Sequence, residues 1–335
     1  MKIRIGIIGS GFGLYGLLPA FNSINNCQVI CICGKKTERL SSYCESIGLT
    51  KIYPDWEQML ALENLDVIAI AVTPRAQYNI AEKAIQKGLH VFAEKPLTTN
   101  YKEAKKLLLL AKKNKITTAV DFIFPEIDEW QKAKDLLDSK KYGKLEHISV
   151  DWNFLSYDIK NKITSWKTDV KEGGGALSFY VSHVLYYLEY YGGKIKKIKS
   201  LLSYSDKSKN GGEVGVSLDI NFKDNVTGQV NFSCNSPCLN NHKVIFVCEK
   251  AKIILENNTN VTDSFELTVC TSEGSKNISV RKSGIVKKDE DERVKIVRKL
   301  ATRFIAACNS RRQMTPSFSE GVRVQELIDI IRREQ

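Results

Sequence analysis

No stretch of this chain approaches the roughly 18 to 20 uninterrupted apolar residues that a bilayer-spanning helix needs. The longest candidate is Leu107-Leu108-Leu109-Leu110-Ala111, closed in by lysines. The opening MKIRIGIIGSGFG joins basic residues to an apolar run, but glycines interrupt it and no small-residue cleavage site follows, so it reads as a first strand and not a secretion signal. The expectation is a soluble, cytoplasmic protein with no membrane partner. Paired cysteine spacing is also missing: the nine cysteines are odd in number and scattered through apparent strands and helices, which argues for reduced packing residues. Cys234-Asn-Ser-Pro-Cys238 comes nearest to ligand spacing, yet only His242 follows it, so the second ligand pair of a structural zinc site is lacking and no metal is expected. Carboxylates are in deficit, 38 against 50 basic residues, for a net charge of +12. The lysines spread along helix faces, as in KEAKKLLLLAKKNK, with no basic stripe interleaved with aromatics. Nucleic acid is therefore not an expected partner, while a small anionic ligand is. Internal repeats and low-complexity segments are absent.

What is present is two grammars in one chain. The length of 335 residues suits about two domains. From residue 3 to 124 short apolar runs (Ile3–Ile8, Gln28–Cys33, Val67–Val72, His90–Ala93, Thr117–Phe124) alternate with helical patterns, which predicts a parallel sheet covered by helices. Thr37, Asp55 and Asn100 stand where helix N-caps belong. From about residue 145 the runs LEHISVDWNF, KKIKSLLSYS, EVGVSLDINF, VTGQVNFSC, HKVIFVCE and AKIILEN alternate with period two, which predicts an antiparallel sheet buried on one face. Asn210-Gly211-Gly212 and Lys223-Asp224-Asn225 supply turn signals. Helical patterns at 290–308 and 319–333 close the chain. The predicted fold class is α/β: a dinucleotide-binding domain of the Rossmann type over 1–123, then an α+β domain over 124–335 with a large, mostly antiparallel sheet. The C-terminal helix is a candidate for packing back on the first domain.

The first strand runs into Gly9-Ser10-Gly11-Phe12-Gly13, and a helical pattern follows. A pyrophosphate bound there needs glycines, because side chains would block the backbone's approach, and the helix start offers N–H groups. Gly9 and Gly11 fit the first two fingerprint positions. The third, counted from Gly9, falls on Leu14, while a literal match beginning at Gly11 ends at Gly16, too far from the strand. The second strand ends in Cys33-Gly34-Lys35-Lys36. Without a carboxylate to bind a ribose 2′-hydroxyl, and with Lys35 and Lys36 offering countercharge, the loop predicts NADP(H) ahead of NAD(H).

Thr73-Pro74 ends another strand, and His90-Val91-Phe92-Ala93-Glu94-Lys95-Pro96-Leu97 follows further on. Gly173-Gly174-Gly175-Ala176-Leu177 precedes His183, with Trp166-Lys167 just before. Together with the glycine loop, these motifs resemble the glucose–fructose oxidoreductase, inositol dehydrogenase and rhizopine-catabolism family, in motif order and over nearly the whole chain. The resemblance implies that Ser10, Phe12, Thr73, Pro74, Glu94, Lys95 and Pro96 join the glycines around the dinucleotide. It implies that Lys95 carries the proton that must accompany hydride transfer at a carbinol carbon. The Lys95–Pro96 bond is a candidate for the cis form.

His183 is the second implied catalytic residue, with Asp121, Trp166, Lys167 and Tyr180 as substrate contacts. The family frame G-G-G-x-L-x-D-x-G-x-H-x-x-D is broken here by Phe179, Val181 and Tyr186. Asp121 and Glu126 are alternatives for the missing carboxylate, and Tyr180 and Tyr186 for a hydroxyl. The implied activity is hydride transfer between a nicotinamide and a hydroxyl or ketone of a sugar or sugar nucleotide, in a homodimer or homotetramer formed through the C-terminal sheet. Two other classes compete: a non-catalytic dinucleotide-binding regulator, and a glycosidase that uses NAD transiently.

Overall fold

The computed structural model describes all residues except 1, 207, 209–210, 238–239, 260, 285–289 and 335. Two compact units emerge, one of residues 1–123 and 284–325, the other of 124–283 and 326–335.

In the first unit, β1 (Ile3–Ile8), β2 (Cys27–Cys33), β3 (Ile52–Tyr53), β4 (Val67–Ile70), β5 (His90–Ala93) and β6 (Thr118–Val120) form one sheet in the order β3-β2-β1-β4-β5-β6. Every pairing is parallel. These strands are nearly continuous apolar runs because helices cover both faces of such a sheet. The helices are α1 (Leu18–Asn22), α2 (Glu38–Ser46), α3 (Trp56–Leu62), α4 (Pro74–Gln86) and α5 (Tyr101–Lys113). All three expected caps form: the side chains of Thr37, Asp55 and Asn100 accept from the amides of Leu40, Gln58 and Glu103 at 3.2, 3.0 and 3.0 Å. The sequence run Thr117–Phe124 is a strand only over Thr118–Val120, since the Phe122 amide turns back onto the Val120 carbonyl. A returning segment covers the open side of β6. Val120 donates to the Pro316 carbonyl at 3.2 Å, and Phe318 donates to the Thr118 hydroxyl at 3.2 Å. An uncovered strand edge offers unpaired amides to other chains, so this cover closes the sheet.

The second unit is built on β7 (Leu145–Asn153), β8 (Ile195–Ser203), β9 (Gly215–Phe222), β10 (Thr227–Ser233), β11 (Asn241–Cys248), β12 (Ala251–Asn257), β13 (Glu266–Thr271) and β14 (Gly274–Asn277). Their order is β14-β13-β12-β11-β7-β10-β9-β8, antiparallel except where β7 meets β10. Alternation is plain along β9 and β10, whose even-numbered residues are buried from Val216 to Phe232. The β9–β10 turn places Asp224 and Asn225 at φ of 67° and 64°, the paired left-handed conformation that a tight hairpin needs. Trp152, Tyr187, Phe246 and Phe265 fill the inner face. On the outer face Lys199, Leu201, Ser217, Asp219, Gln229 and Asn231 surround a shallow depression, and Leu201 is 77% exposed. This unit's helices are α6 (Asp128–Asp138), α7 (Tyr157–Lys160) and α8 (Ser182–Gly192); α9 (Val294–Ser310) belongs to the first unit, and α10 (Phe318–Arg333) is divided between the two. No helix among the described residues is long and apolar enough to cross a membrane.

Candidate active site

The loop after β1 divides three tasks among its glycines. Gly9, at φ +129°, is wedged between neighbouring strand ends: its amide donates to the Cys33 carbonyl at 2.8 Å, and a Cβ would lie 2.1 Å from the Ala71 oxygen. Gly11 faces open space, with nothing within 4 Å of where its Cβ would point. Gly13 brings the following helical turn down onto β1, its Cβ position 3.4 Å from Ile7 Cγ2. Tight turn, free approach to the backbone and close helix–strand packing are the three roles of a dinucleotide fingerprint. The third role belongs to Gly13, and neither Leu14, a 2% exposed packing residue, nor Gly16 takes it. Gly16 instead makes room for the Phe12 ring, which a Cβ would meet at 2.3 Å. An open glycine backbone at strand ends fits a pyrophosphate. Lys35 and Lys36 are both exposed directly beyond β2.

Thr73 and Pro74 start α4, with the Thr73 hydroxyl accepting from the Ala76 amide at 3.5 Å. One turn on, Gln77 is 1% exposed, and its Nε2 donates to the carbonyls of Glu94, Pro96 and Leu97 at 2.7, 3.1 and 3.0 Å. The Glu94-Lys95-Pro96 turn, with its cis Lys95–Pro96 bond, is thus fastened from below by one side chain. Asp121 lies beside this turn. Its amide donates to the Ala93 carbonyl at 2.9 Å, and its carboxyl, 2% exposed, meets that of Glu94. Burial, then the charge and hydrogen bond of Glu94, hold the Asp121 carboxyl well above the usual carboxylate range, while Lys95 and Arg293 pull it down.

Arg293 reaches the same region from the start of α9. Its guanidinium lies 4.5 Å over the Phe12 ring and pairs with Asp291 at 2.8 Å. Burial works against its charge, and the Asp291 carboxylate outweighs that effect.

In the second unit the triple-glycine turn is held by an ion pair between buried Glu213 and partly exposed Arg332. Glu213, 3% exposed, receives Arg332 Nε at 2.7 Å, and the same guanidinium donates to the Gly174 carbonyl at 2.7 Å. Gly175, at φ +91°, leaves its amide on the Lys167 carbonyl at 2.8 Å; a Cβ there would fall 1.9 Å from Glu213 Oε2. The turn carrying Trp166 and Lys167 is therefore locked to the entry of the His183 helix. His183 is 7% exposed, edge-on to Phe124 at 5.1 Å between centroids. Phe179 takes the place of the family carboxylate as an aromatic corner. The Trp166 ring is perpendicular to it at 5.4 Å, and the Lys167 ammonium lies 5.1 Å over its face. Tyr180 stacks on Phe232 at 5.5 Å, and burial pushes its phenol well above the usual range. Tyr186 is buried at 6% and turned to Tyr190.

His242 is a core residue, stacked on Trp152 at 4.3 Å and kept neutral by burial, which lowers its pKa to about 3. Cys238 lies outside the described residues. Among those described, no cluster of three or more His, Cys, Asp and Glu has metal-holding geometry.

Gln77, Arg293, Glu213 and Arg332 are the residues that sequence reasoning missed. Gln77 alone carried a signal, one helical turn after the Thr73 cap.

Two outcomes follow from this geometry. Arg332→Ala leaves Glu213 buried without its cation and should lower stability to urea by about 3–5 kcal/mol. Glu213→Gln together with Arg332→Met should recover part of that loss. At Asp121 the folded chain binds a proton at pH values where the unfolded chain, with its carboxyl near 3.9, has released it. This contribution is complete below the unfolded value and disappears as pH rises through the raised folded value. Urea midpoints should therefore decline more in the native protein than in Asp121→Asn as pH rises above the ordinary carboxylate range.

Residues 3–122 match the family model described as an oxidoreductase family with an NAD-binding Rossmann fold, and residues 130–254 match the GFO/IDH/MocA C-terminal domain. An uncharacterized oxidoreductase of Synechocystis is 26% identical over 99% of this chain and 94% of its own length. A dTDP-3,4-didehydro-2,6-dideoxy-alpha-D-glucose 3-reductase of Streptomyces violaceoruber is 24% identical over 45% of this chain and 44% of its own. Among solved structures, levoglucosan dehydrogenase in complex with NADH and levoglucosan shares the fold at a TM-score of 0.87 and 19% identity, over 100% of this chain and 97% of that one. A 3-ketoreductase from Actinomadura kijaniata in complex with NADP does so at 0.80 and 18%, over 100% and 98%. With its N-terminal and C-terminal portions matched in order, the chain belongs to the GFO/IDH/MocA family of NAD(P)-dependent oxidoreductases.

Proposed function

We propose that this enzyme reduces a keto group on a sugar or sugar nucleotide, with NADPH preferred over NADH. The observation that carries the reading is Lys95, fastened by Gln77 at the end of β5, two strands from the glycine loop and so roughly 10 Å along the sheet. That separation suits a dinucleotide whose pyrophosphate rests on Gly11 and whose nicotinamide points toward Lys95. A bound nicotinamide supplies the hydride. Lys95 gives the developing alkoxide its proton, and Thr73, Pro74, Glu94 and Pro96 shape the wall around it. Lys35 and Lys36 meet a 2′-phosphate, a role that the absence of a carboxylate at the end of β2 supports.

Within the second unit we carry over from the family resemblance His183 as a proton-handling group, and Trp166, Lys167 and Tyr180 as substrate contacts. Aromatic edges suit the C–H faces of a sugar, and Lys167 suits a phosphate on it. The names of the dTDP-sugar 3-reductases, levoglucosan dehydrogenase and the 3-ketoreductase support this substrate class. A homodimer or homotetramer assembled through the outer face around Leu201, acting in the cytoplasm, belongs to the same reading.

One observation favours a non-catalytic dinucleotide-binding protein: Phe179 and Tyr186 occupy both family carboxylate positions. The intact Glu94-Lys95-Pro96 turn weighs against it, because a sensor has no need of a proton donor.

Incubation with NADPH and a panel of 3-keto and 4-keto sugars, free and nucleotide-linked, should oxidise the coenzyme. Tight NADPH binding with no oxidation on any of them would favour the binding protein. Lys95→Ala should slow oxidation by about 10²–10⁴-fold while coenzyme affinity is retained. Lys35→Ala with Lys36→Ala should weaken NADPH binding by roughly tenfold, about 1.4 kcal/mol, and leave NADH binding unchanged.

A further inference from the structure

The first unit contains a pair of carboxyl groups at neighbouring strand ends. Glu94 ends β5, Asp121 ends β6, and the Asp121 amide on the Ala93 carbonyl at 2.9 Å sets the two side chains together. The Glu94 carboxyl lies within hydrogen-bonding reach of the Asp121 carboxyl. No N–H or O–H among the described residues donates to Asp121 Oδ1 or Glu94 Oε1, both of which are shielded from solvent. Ionised carboxylates only accept, so two of them hydrogen-bond to each other only when one holds a proton. Burial raises the Asp121 carboxyl further, with Glu94 as the next cause. The charged groups facing the pair are Lys95 from the same turn and Arg293 from the N-cap of α9, which is paired with Asp291.

We propose that Glu94 and Asp121 form a one-proton acid that restores the proton Lys95 gives up, acting through Lys95 as a positioning pair. The proposal rests on Lys95 as the proton carrier. When Lys95 protonates an alkoxide, an N–H bond breaks and an O–H bond forms on the substrate, leaving a neutral amine. The shared proton then moves to the amine: a carboxyl O–H bond breaks and the N–H bond is remade. The pair becomes a dianion facing two cations, Lys95 and Arg293, and the local charge is the same before and after. A hydronium ion from solvent returns the pair to its one-proton state. Phe179 removes the family carboxylate from the second unit, and this pair places carboxyl chemistry next to the lysine on the first.

The test reads the protein without substrate. Carbon-13 NMR of chain labelled at its aspartate carboxyls should show one resonance, missing in Asp121→Asn, that titrates well above the ordinary aspartate range. Competitive acylation of Lys95 with acetic anhydride should trace a two-step rise with pH, as coupled sites do, and a single step in Asp121→Asn. The alkaline midpoint should fall by about one to three pH units in the variant, because the lysine then faces one negative charge and not two. A titration of Asp121 in the ordinary aspartate range, or identical Lys95 profiles in the two proteins, overturns the proposal. If Asp121→Asn fails to fold, Glu94→Gln and the native protein's two-step curve decide. Failure of keto-sugar reduction alongside a two-step Lys95 curve would strike the proposed activity and leave the proton pair standing.

Discussion

A single buried amide fixes the turn on which the proposed chemistry rests. Gln77 Nε2 fans across the carbonyls of Glu94, Pro96 and Leu97, and so fixes the turn from which Lys95 projects. Those carbonyls have left the sheet and have no ladder partner, and an unpaired buried carbonyl costs about 1–3 kcal/mol. The helix that carries Gln77 begins at the end of β4, between the strand with the glycine loop and the strand with the lysine. The proposed coenzyme wall and the proposed proton donor therefore share one support.

The two units use different devices for the same purpose. In the first, backbone geometry positions the groups: Gly9 between strand ends, Gly13 against Ile7, and the cis bond before Pro96. In the second, charge does so. The Arg332–Glu213 pair binds the triple-glycine turn, and glycine at 175 is required because Glu213 Oε2 occupies the space of a Cβ. Buried ion pairs are weak contributors to net stability but strongly penalise the loss of one partner, which suits a latch that specifies one conformation.

Much of the fold was legible in the sequence because its signals are local. Apolar runs marked β1, β2, β4 and β5, period-two alternation marked six of the eight strands of the second sheet, and Thr37, Asp55 and Asn100 cap the helices they precede. The signals that failed were those set by distant partners. β3 has two residues and exists through pairing with β2; β13 and β14 lack a clear apolar run; the return of α9 to the first unit has no local mark. The third glycine role went to Gly13 because Ile7 and Ala71 approach it, which spacing alone does not encode. The Glu94-Lys95-Pro96 turn was readable as a motif, while its supports, Gln77, Asp121 as the partner of Glu94, and Arg293, depend on contacts across the fold.

At the centre of the proposed function stands the grip of the glycine loop on a dinucleotide, without which Lys95 would have no hydride transfer to accompany. Titration calorimetry of the folded protein measures this directly. One NADPH bound per chain, more tightly than NADH, is the predicted result; no heat of binding with either coenzyme would contradict the account.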